Sequence, residues 1–283
     1  MILDQLADYA RLRVEKDKKA VPFSEIRRMA EAAAFGIAQA PAVSLQAASL
    51  PEEPPRREPF AFEKALKKPG LSFICEVKKA SPSKGIIAED FPYLDIAAGY
   101  EQAGADCVSV LTEPKWFLGS DQIFKEIRAK IRLPMIRKDF TVDAYQIYQA
   151  KAMGADAVLL ICALLPTEVI REYLSICDQL GMTALVEAHD EAEIASAAAA
   201  GARVIGVNNR NLKTFTVDFS NSRRLRQLVP ENALFVAESG VKGPEDIRAL
   251  AGLGADGVLV GEALMRADDK KLTLAQFREA AHG

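Results

Sequence analysis

The fold is decided by a stretch that occurs four times in similar form: Gly104-Ala-Asp-Cys-Val-Ser-Val-Leu111, Gly154-Ala-Asp-Ala-Val-Leu-Leu-Ile161, Gly201-Ala-Arg-Val-Ile-Gly-Val-Asn208 and Gly254-Ala-Asp-Gly-Val-Leu-Val-Gly261. Glycine suits the left-handed position that ends a helix. The apolar run behind each glycine does not alternate with polar residues, as expected of a strand buried on both faces. Each copy therefore predicts a helix end followed by a strand of a parallel sheet.

The copies begin about 50 residues apart, the length of two strand–helix units. The predicted strands are residues 72–77, 107–111, 134–137, 157–161, 183–186, 204–207, 234–237 and 257–260. Helices are predicted between them over residues 94–103, 122–130, 144–153, 167–180, 192–200, 220–228 and 245–253. Eight such alternations predict a closed parallel (β/α)8 barrel, the TIM barrel. The alternative, a doubly wound open sheet, usually has a glycine-rich turn after its first strand, which is missing from this sequence.

Residues 1–65 lie outside the repeat, and the barrel is predicted for residues 66–283. Residues 3–18 and 24–39 have helical patterns, and residues 41–59, rich in Pro, Ala and Glu, form a predicted connecting segment. We expect a helical extension packed over one end of the barrel.

The composition argues against several classes of partner. A net charge of −3 disfavours nucleic acid, which usually needs a basic stripe. The longest apolar run, residues 157–165, is too short to cross a membrane, and no signal peptide is apparent. The four cysteines lack the spacing of metal ligands, and no dinucleotide or Walker motif is present. We expect a cytoplasmic protein with reduced thiols and with neither metal nor cofactor.

In barrels of this kind the active site lies at the C-terminal ends of the strands. Residues at these ends form a predicted ring rich in lysine, carboxylate and arginine. The ring comprises Glu76, Lys78, Thr112, Glu113, Lys138, Asp139, Glu187, His189, Asn208, Asn209, Arg210, Glu238, Ser239, Gly240, Gly261 and Glu262. A single strand-end charge is often a solvated rim residue, but Lys78, Lys138 and Glu187 converging on one mouth indicate a site. A lysine near a carboxylate is a natural general acid–base pair.

Two glycine-containing turns, Ser239-Gly240 and Gly261-Glu262, follow the last two strands. This is the usual phosphate position in the fold, where backbone N–H groups face the anion. The alternative is that these glycines merely permit tight turns. We expect a phosphate site here, and for His189 a structural or capping role.

The stretch Phe73-Ile-Cys-Glu-Val-Lys-Lys-Ala-Ser-Pro-Ser-Lys-Gly-Ile-Ile87 resembles the signature of indole-3-glycerol-phosphate synthases. Further similar segments are Arg137-Lys-Asp-Phe140, Leu185-Val-Glu-Ala-His189, Gly206-Val-Asn-Asn-Arg-Asn-Leu212, Ala237-Glu-Ser-Gly240 and Val260-Gly-Glu-Ala-Leu-Met265. The resemblance covers nearly the whole chain. It implies a carboxy-lyase of tryptophan biosynthesis, which converts 1-(2-carboxyphenylamino)-1-deoxyribulose 5-phosphate to indole-3-glycerol phosphate, CO2 and water.

The resemblance also implies catalytic roles. Lys138 would be the general acid for ring closure, and Glu187 would act in dehydration. Lys78 would either assist the acid chemistry or hold the phosphate. Glu76 would orient a lysine, and Asn208 would face the anthranilate portion of the substrate.

The implied substrate-binding residues are Ser81, Phe140, Arg210, Glu238, Ser239, Gly240, Gly261 and Glu262. Arg210 would face the anthranilate portion, and only the backbone N–H of Glu262 would bind phosphate, since a carboxylate beside a phosphate is unfavourable unless it points away. No metal or cofactor is implied. The expected partner is a small-molecule sugar phosphate. We expect a monomer or weak oligomer that could associate with other tryptophan-pathway enzymes.

Two rival functions stay open at the level of sequence. Phosphoribosylanthranilate isomerases share the phosphate loops but have a Cys/Asp pair in place of the lysines. A non-catalytic barrel that binds phosphate ligands would keep the glycine turns without needing Lys138 and Glu187. Residues 79–89, rich in turn residues, are predicted to form a mobile lid.

Overall fold

The computed structural model describes residues 2–36, 58–211 and 216–282. The helices are α1 Ile2–Ala20, α2 Phe23–Phe35, α3 Ala61–Leu66, α4 Tyr93–Gln102, α5 Asp121–Lys130, α6 Ala144–Ala152, α7 Thr167–Gln179, α8 Glu191–Ala200, α9 Ser220–Arg226, α10 Pro244–Gly252, α11 Glu262–Arg266 and α12 Lys270–His282. The strands are β1 Ser72–Val77, β2 Ala80–Ser81, β3 Gly85–Ile86, β4 Cys107–Leu111, β5 Met135–Lys138, β6 Ala157–Ile161, β7 Thr183–Ala188, β8 Val204–Asn208, β9 Leu234–Glu238 and β10 Gly257–Val260.

Within these residues, eight parallel strands close into a barrel in the order β1, β4, β5, β6, β7, β8, β9 and β10. The seam joins β1 to β10, with Ser72 opposite Gly257. This closure confirms the predicted (β/α)8 barrel and rules out the open sheet. The helices predicted over residues 3–18 and 24–39 are present as α1 and α2. Helix α2 ends earlier than predicted, at Phe35, because Gly36 adopts the left-handed conformation that ends a helix; residues 37–39 lie outside the described residues.

The strands are buried on both faces, as their uninterrupted apolar runs predicted. One apolar cluster fills the barrel interior, and a larger one lies between the strands and the helices. Four strands extend beyond their predicted ends because they finish in polar or small residues: β5 at Lys138, β7 at Ala188, β8 at Asn208 and β9 at Glu238. Apolarity marked the strand interiors but not these functional ends.

The repeat glycines end helices in the predicted conformation. Their φ angles are 85° at Gly104, 87° at Gly154, 90° at Gly201 and 71° at Gly254. A side chain disfavours this left-handed region, whereas glycine enters it freely. The prediction of a left-handed residue before each of these strands is confirmed.

The aspartate of the repeat has a role that the pattern did not reveal. The Asp256 carboxylate accepts a hydrogen bond from the Phe235 N–H at 2.7 Å, and the Asp256 N–H donates to the Phe235 carbonyl at 2.9 Å. We call this pair of bonds the aspartate clamp. The same clamp joins Asp156 to Met135 and Asp106 to Phe73. It satisfies backbone groups at the N-terminal ends of adjacent strands.

The N-terminal helices pack on the barrel. Both terminal nitrogens of the Arg13 guanidinium on α1 donate to the carboxylate of Asp139, Nη2 at 2.6 Å and Nη1 at 3.0 Å. Helix α2 packs against α6. The predicted domain boundary between residues 65 and 66 falls inside α3 and stays a prediction. Of the predicted connecting segment 41–59, all but Glu58 and Pro59 lies outside the described residues.

Short elements escaped the sequence patterns. The six residues of α3 are too few for a helical period, yet Phe62 and Leu66 join the apolar cluster of the barrel interior. β2 and β3 pair as an antiparallel hairpin within the predicted lid segment, whose mobility stays a prediction. Helices α11 and α12 follow the last strand.

No helix in the described residues is long and apolar enough to cross a membrane. The four cysteines are free thiols; Cys75, Cys107 and Cys177 are buried and Cys162 is partly exposed.

The aspartate clamp predicts a measurable contribution to stability. Asp256→Ala leaves the Phe235 N–H without its carboxylate acceptor and should lower the free energy of unfolding by about 1–3 kcal/mol. Asp256→Asn keeps an oxygen that can accept the same bond and should lose less than half of that amount. Urea unfolding followed by circular dichroism measures both. Equal losses in the two variants would contradict the role given to the hydrogen bond.

Candidate active site

A cavity of about 820 Å³ opens at the C-terminal ends of the barrel strands. It is walled by strand ends, the loops behind them and the start of α1. All residues predicted as catalytic or substrate-binding line it: Glu76, Lys78, Ser81, Lys138, Phe140, Glu187, Asn208, Arg210, Glu238, Ser239, Gly240, Gly261 and Glu262. Topology brings these residues together from positions spread over most of the chain. Four other members of the predicted ring do not line the cavity: Thr112, Glu113, His189 and Asn209.

Lys138 lies at the centre of this arrangement. Its Nζ is 3.1 Å from Glu238 Oε2 and 3.5 Å from Glu187 Oε2. Burial lowers the pKa of Lys138, but the charges of Glu238, Glu187 and Glu76 outweigh burial and raise the pKa overall. The side chain is therefore an ammonium ion held between buried carboxylates.

Glu76 and Lys78 form a second pair, with Nζ 2.5 Å from Glu76 Oε1. Burial raises the pKa of Glu76, but the charges of Lys78 and Lys138 outweigh it and lower the pKa overall. A Cβ atom at Gly261 would lie 2.5 Å from Glu76 Oε1 and 2.9 Å from Lys78 Nζ. Glycine at position 261 therefore provides the space in which this pair fits.

Glu238 is the carboxylate least satisfied by its surroundings. Burial raises the pKa of Glu238 to about 7; the charge of Lys138 opposes this shift and that of Glu187 adds to it. A side chain at Gly206 would collide with Glu238 Oε1. Three buried carboxylates thus face two lysines, and burial favours the protonated form of Glu238.

The two glycine turns face the same cavity. Ser239 and Gly240 have left-handed φ angles of 64° and 96°, so consecutive peptides turn sharply there. Gly261 precedes α11, which begins at Glu262. The Glu262 carboxylate is engaged by cations, with Oε1 3.5 Å from Lys84 Nζ and 3.2 Å from Arg266 Nε. Its charge is therefore offset, as an anion site nearby would require.

Arg210 joins the rim to the β2–β3 hairpin. Its Nη1 donates to Ser83 Oγ at 3.2 Å, and its backbone N–H donates to Asn208 Oδ1 at 2.9 Å. The side chains of Arg210 and Asn208 both line the cavity. Arg210 therefore contacts both the β2–β3 hairpin and the cavity.

Several lining residues were not predicted from the sequence. Ile2, Leu3 and Leu6 of α1 form an apolar part of the wall, and Lys242 adds positive charge. Lys84, from the predicted lid segment, lines the cavity too. The helical period identified α1 but could not indicate which element its apolar face meets. The apolar residues at the start of the chain were the available signal.

Other members of the predicted ring have structural contacts. Glu113 accepts hydrogen bonds from the backbone N–H groups of residues 115–117, at 2.9, 2.7 and 3.0 Å, and so shapes the loop after β4. The Asn209 side chain accepts from Ser222 Oγ at 2.8 Å. Trp116, which is not a member of the ring but lies on the same loop as Glu113, packs edge-on against Tyr9, with ring centroids 5.6 Å apart. These residues support the mouth from outside the cavity.

Asp139 anchors the N-terminal helix beside Lys138. Besides Arg13, it accepts from Thr112 Oγ1 at 2.6 Å and lies 3.5 Å from Arg137 Nη2. Burial raises the pKa of Asp139, but the hydrogen bond from Arg13 and the charges of Arg137 and Arg13 lower it overall. Asp139 is therefore an ionised structural residue, although it borders the cavity.

Among the described residues, no three His, Cys, Asp or Glu side chains cluster in a way that could hold a metal ion. What the cavity offers is proton transfer between lysines and carboxylates, with anion-binding groups on either side.

The sequence profile of the family "Indole-3-glycerol phosphate synthase" matches residues 27–277. The indole-3-glycerol phosphate synthase of Ruminiclostridium cellulolyticum is 53% identical over 281 residues, covering 99% of this chain and 100% of its own. That of Lachnoclostridium phytofermentans is 45% identical, with coverage of 98% and 99%. That of Thermoanaerobacter pseudethanolicus is 40% identical, with coverage of 100% and 99%.

More distant solved structures share the fold alone. The 3-hexulose-6-phosphate synthase of Salmonella typhimurium is 16% identical, with a TM-score of 0.61 over 75% of this chain and 99% of its own. The synthases above are 40–53% identical to this chain over nearly its full length, against 16% for this structure, and therefore show the family as well as the fold. The chain belongs to the indole-3-glycerol phosphate synthase family.

Proposed function

We propose that the protein closes the indole ring of indole-3-glycerol phosphate. The substrate is 1-(2-carboxyphenylamino)-1-deoxyribulose 5-phosphate, which loses CO2 and water. Family membership supports this reaction. The observation that carries it is the Lys138 ammonium between Glu187 and Glu238 in a cavity that also has cationic and glycine-lined walls.

In this proposal Lys138 is the general acid of ring closure. The aromatic carbon attacks the substrate carbonyl, whose oxygen gains negative charge. An ammonium ion both stabilises that charge and donates a proton to it. A raised pKa suits the task, because the lysine keeps its proton until a strongly basic alkoxide forms beside it.

Decarboxylation then restores aromaticity and needs little assistance. Dehydration requires an acid at the departing hydroxyl and a base for the proton that is lost. We assign Glu187 to the base step, because its carboxylate is buried, lines the cavity and lies within reach of Lys138. Glu238, which titrates near neutral pH, is suited to hold a proton in the same network.

The two anionic ends of the substrate call for separate sites. The phosphate is assigned to the backbone of Ser239, Gly240, Gly261 and Glu262. The proximity of Lys78 to Gly261 favours the phosphate side for this lysine, with Glu76 orienting it. The anthranilate portion is assigned to Asn208 and Arg210, and Ser81 and Phe140 to the remaining walls of the cavity.

We also propose that the protein acts in the cytoplasm as a monomer or weak oligomer, without nucleic-acid or membrane partners. The acidic net charge of −3 supports the absence of a nucleic-acid partner. Association with other tryptophan-pathway enzymes belongs to the same proposal, and analytical ultracentrifugation of the pure and mixed enzymes tests it.

The rival functions have weaker support. An isomerase of the phosphoribosylanthranilate class needs a Cys/Asp pair at the mouth, and none of the described lining residues is cysteine. A binding barrel has no need for a buried ammonium between carboxylates. Incubation with the carboxyphenylamino substrate distinguishes the three: only the synthase produces indole fluorescence.

The first prediction concerns Lys138. Lys138→Met removes the acid but keeps most of the volume, so turnover should fall by about 10²–10⁴-fold. Indole fluorescence measures the rate, and circular dichroism checks the fold. The exposed Lys271 on α12 supplies the control Lys271→Met, which should keep the parent rate. Near-normal turnover in Lys138→Met would overturn the assignment.

The second prediction concerns Glu238 and pH. Its folded pKa of about 7 exceeds its ordinary value of 4.5. Below pH 4.5 Glu238 is protonated in both the folded and the unfolded state and does not affect stability. As pH rises from 4.5 to about 7, the unfolded state ionises more readily than the folded state, so the free energy of unfolding falls. Glu238→Gln should gain stability relative to the parent between about pH 5 and pH 8, by on the order of 3 kcal/mol.

Urea unfolding across this pH range measures the difference. Glu245→Gln is the control, since that side chain is 87% exposed and should give a flat difference. A flat difference for Glu238→Gln as well would mean that Glu238 stays ionised at no cost.

The third prediction concerns Arg210. The substrate has a carboxylate that the product has lost, and arginine binds carboxylates through paired N–H donors. Arg210→Ala should weaken a reduced substrate analogue more than indole-3-glycerol phosphate, by about 1–3 kcal/mol. Arg266→Ala, near Glu262 and the phosphate loops, should weaken both ligands equally. Isothermal titration measures the affinity for both ligands. If Arg210→Ala lost the same affinity for the substrate analogue and for the product, Arg210 would have no role in binding the carboxylate.

A further inference from the structure

His189 follows β7 and connects two carboxylates. Its Nδ1 is 3.0 Å from Glu193 Oε2, and its Nε2 is 3.4 Å from Glu187 Oε1. The His189 backbone N–H donates to the same Glu193 oxygen at 2.8 Å. The side chains of His189 and Glu193 are 16% and 20% exposed, against 3% for Glu187. The three residues therefore lead from the rim of the barrel to the cavity.

Both ring nitrogens thus face carboxylate oxygens. An ionised carboxylate only accepts hydrogen bonds, and neutral imidazole has a single N–H to donate. In either neutral tautomer one nitrogen lone pair would point at a carboxylate. Nε2 is buried and makes no hydrogen bond within the described part of the chain. The imidazolium form, with N–H on both nitrogens, suits both neighbours.

The groups around the ring favour that form. Burial lowers the pKa of His189, but the hydrogen bond to Glu193 and the charges of Glu187, Glu193 and Glu238 outweigh burial and raise it overall. Burial raises the pKa of the nearby Cys162 thiol to about 12, so it contributes no charge at neutral pH. The Asp190 carboxylate accepts from the Glu193 N–H at 2.9 Å and so fixes the first turn of α8.

The imidazolium of His189 adds a positive charge beside the buried carboxylates of the cavity. Glu76, Glu187 and Glu238 are buried, and Lys78 and Lys138 supply two positive charges against them. A buried carboxylate without a compensating cation takes up a proton more readily. Lys138 lies closer to Glu238 than to Glu187, at 3.1 against 3.5 Å, so the imidazolium supplies Glu187 with a cation at its other oxygen.

We propose that His189 is a positioning residue for the synthase reaction, and that its imidazolium holds Glu187 as an ionised carboxylate. Lys138 engages one oxygen of Glu187 and His189 the other, while Glu193 orients the ring from outside. His189 itself is not among the residues that line the cavity, so it acts through Glu187. This role rests on the proposed function of Glu187 as the base.

Nuclear magnetic resonance tests the charge directly. The chain has two histidines, His189 and His282. Protein labelled with nitrogen-15 histidine therefore gives two pairs of imidazole nitrogen signals, one pair for each ring, and His282→Asn identifies which pair belongs to His189. His189 should still be doubly protonated above pH 6.5, the ordinary pKa of histidine, and Glu193→Gln should lower the His189 pKa. A His189 ring that is already neutral at pH 6.5 would overturn the proposal.

The pH dependence of kcat/KM tests the positioning. His189→Gln keeps an N–H donor near Glu187 but removes the charge. An opposite charge this close typically lowers a carboxylate pKa by one unit or more, so the acid limb should move to higher pH by about one unit. At the plateau, kcat and KM should return close to the parent values.

A loss of kcat that is uniform across pH, with the acid limb unmoved, is the signature of a purely structural role and would reject the proposal. Thermal unfolding of His189→Gln identifies a variant that simply folds poorly, in which case the resonance titration of the parent decides. If the parent enzyme failed to convert its substrate, the proposed function would fail; the resonance titration would still report on the ring between its two carboxylates.

Discussion

The pairing of the Lys138 ammonium with buried carboxylates is the interaction around which the mouth of the barrel is arranged. Removing ions from water costs several kcal/mol each, and only close, well-oriented partners offset that cost. Lys138, Glu187 and Glu238 come from three different strands, so their distances depend on barrel closure and strand register. The glycine at position 206 then has a clear purpose, since it leaves the volume that Glu238 occupies.

The N-terminal helix takes part in the same arrangement. Arg13 binds Asp139, the residue next to Lys138, through two short hydrogen bonds. Leu3 and Leu6 on the same helix supply apolar surface to the cavity wall. The extension is thus held beside the site by an ion pair and forms part of the cavity wall. A displacement of α1 would move Asp139 through Arg13, and Asp139 is joined to Lys138 by one peptide bond.

Most of the fold could be read from the sequence because its strands are continuous apolar runs that start after a glycine. The same apolar signal was weakest at the C-terminal ends of the strands, where the site residues lie. Lys138, Asn208 and Glu238 are polar, so apolarity could not include them in the strands to which they belong. The positions of the site residues followed from topology, because parallel strands bring their ends to one rim. The contacts between side chains could not be predicted in this way, since the pairs Arg13 with Asp139 and Arg210 with Ser83 join residues that are distant in the sequence.

The aspartate clamp has a consequence for the order in which the barrel forms. Its partners are close in sequence, 21 residues apart for Asp256 with Phe235 and for Asp156 with Met135, and 33 for Asp106 with Phe73. Closing such short loops costs little chain entropy, and local contacts form early in folding. The third repeat copy has Arg203 instead, which pairs with Asp178 and Glu63. We expect strand pairs bearing the clamp to assemble first, and the seam between β1 and β10, which joins the two ends of the barrel sequence, to close last.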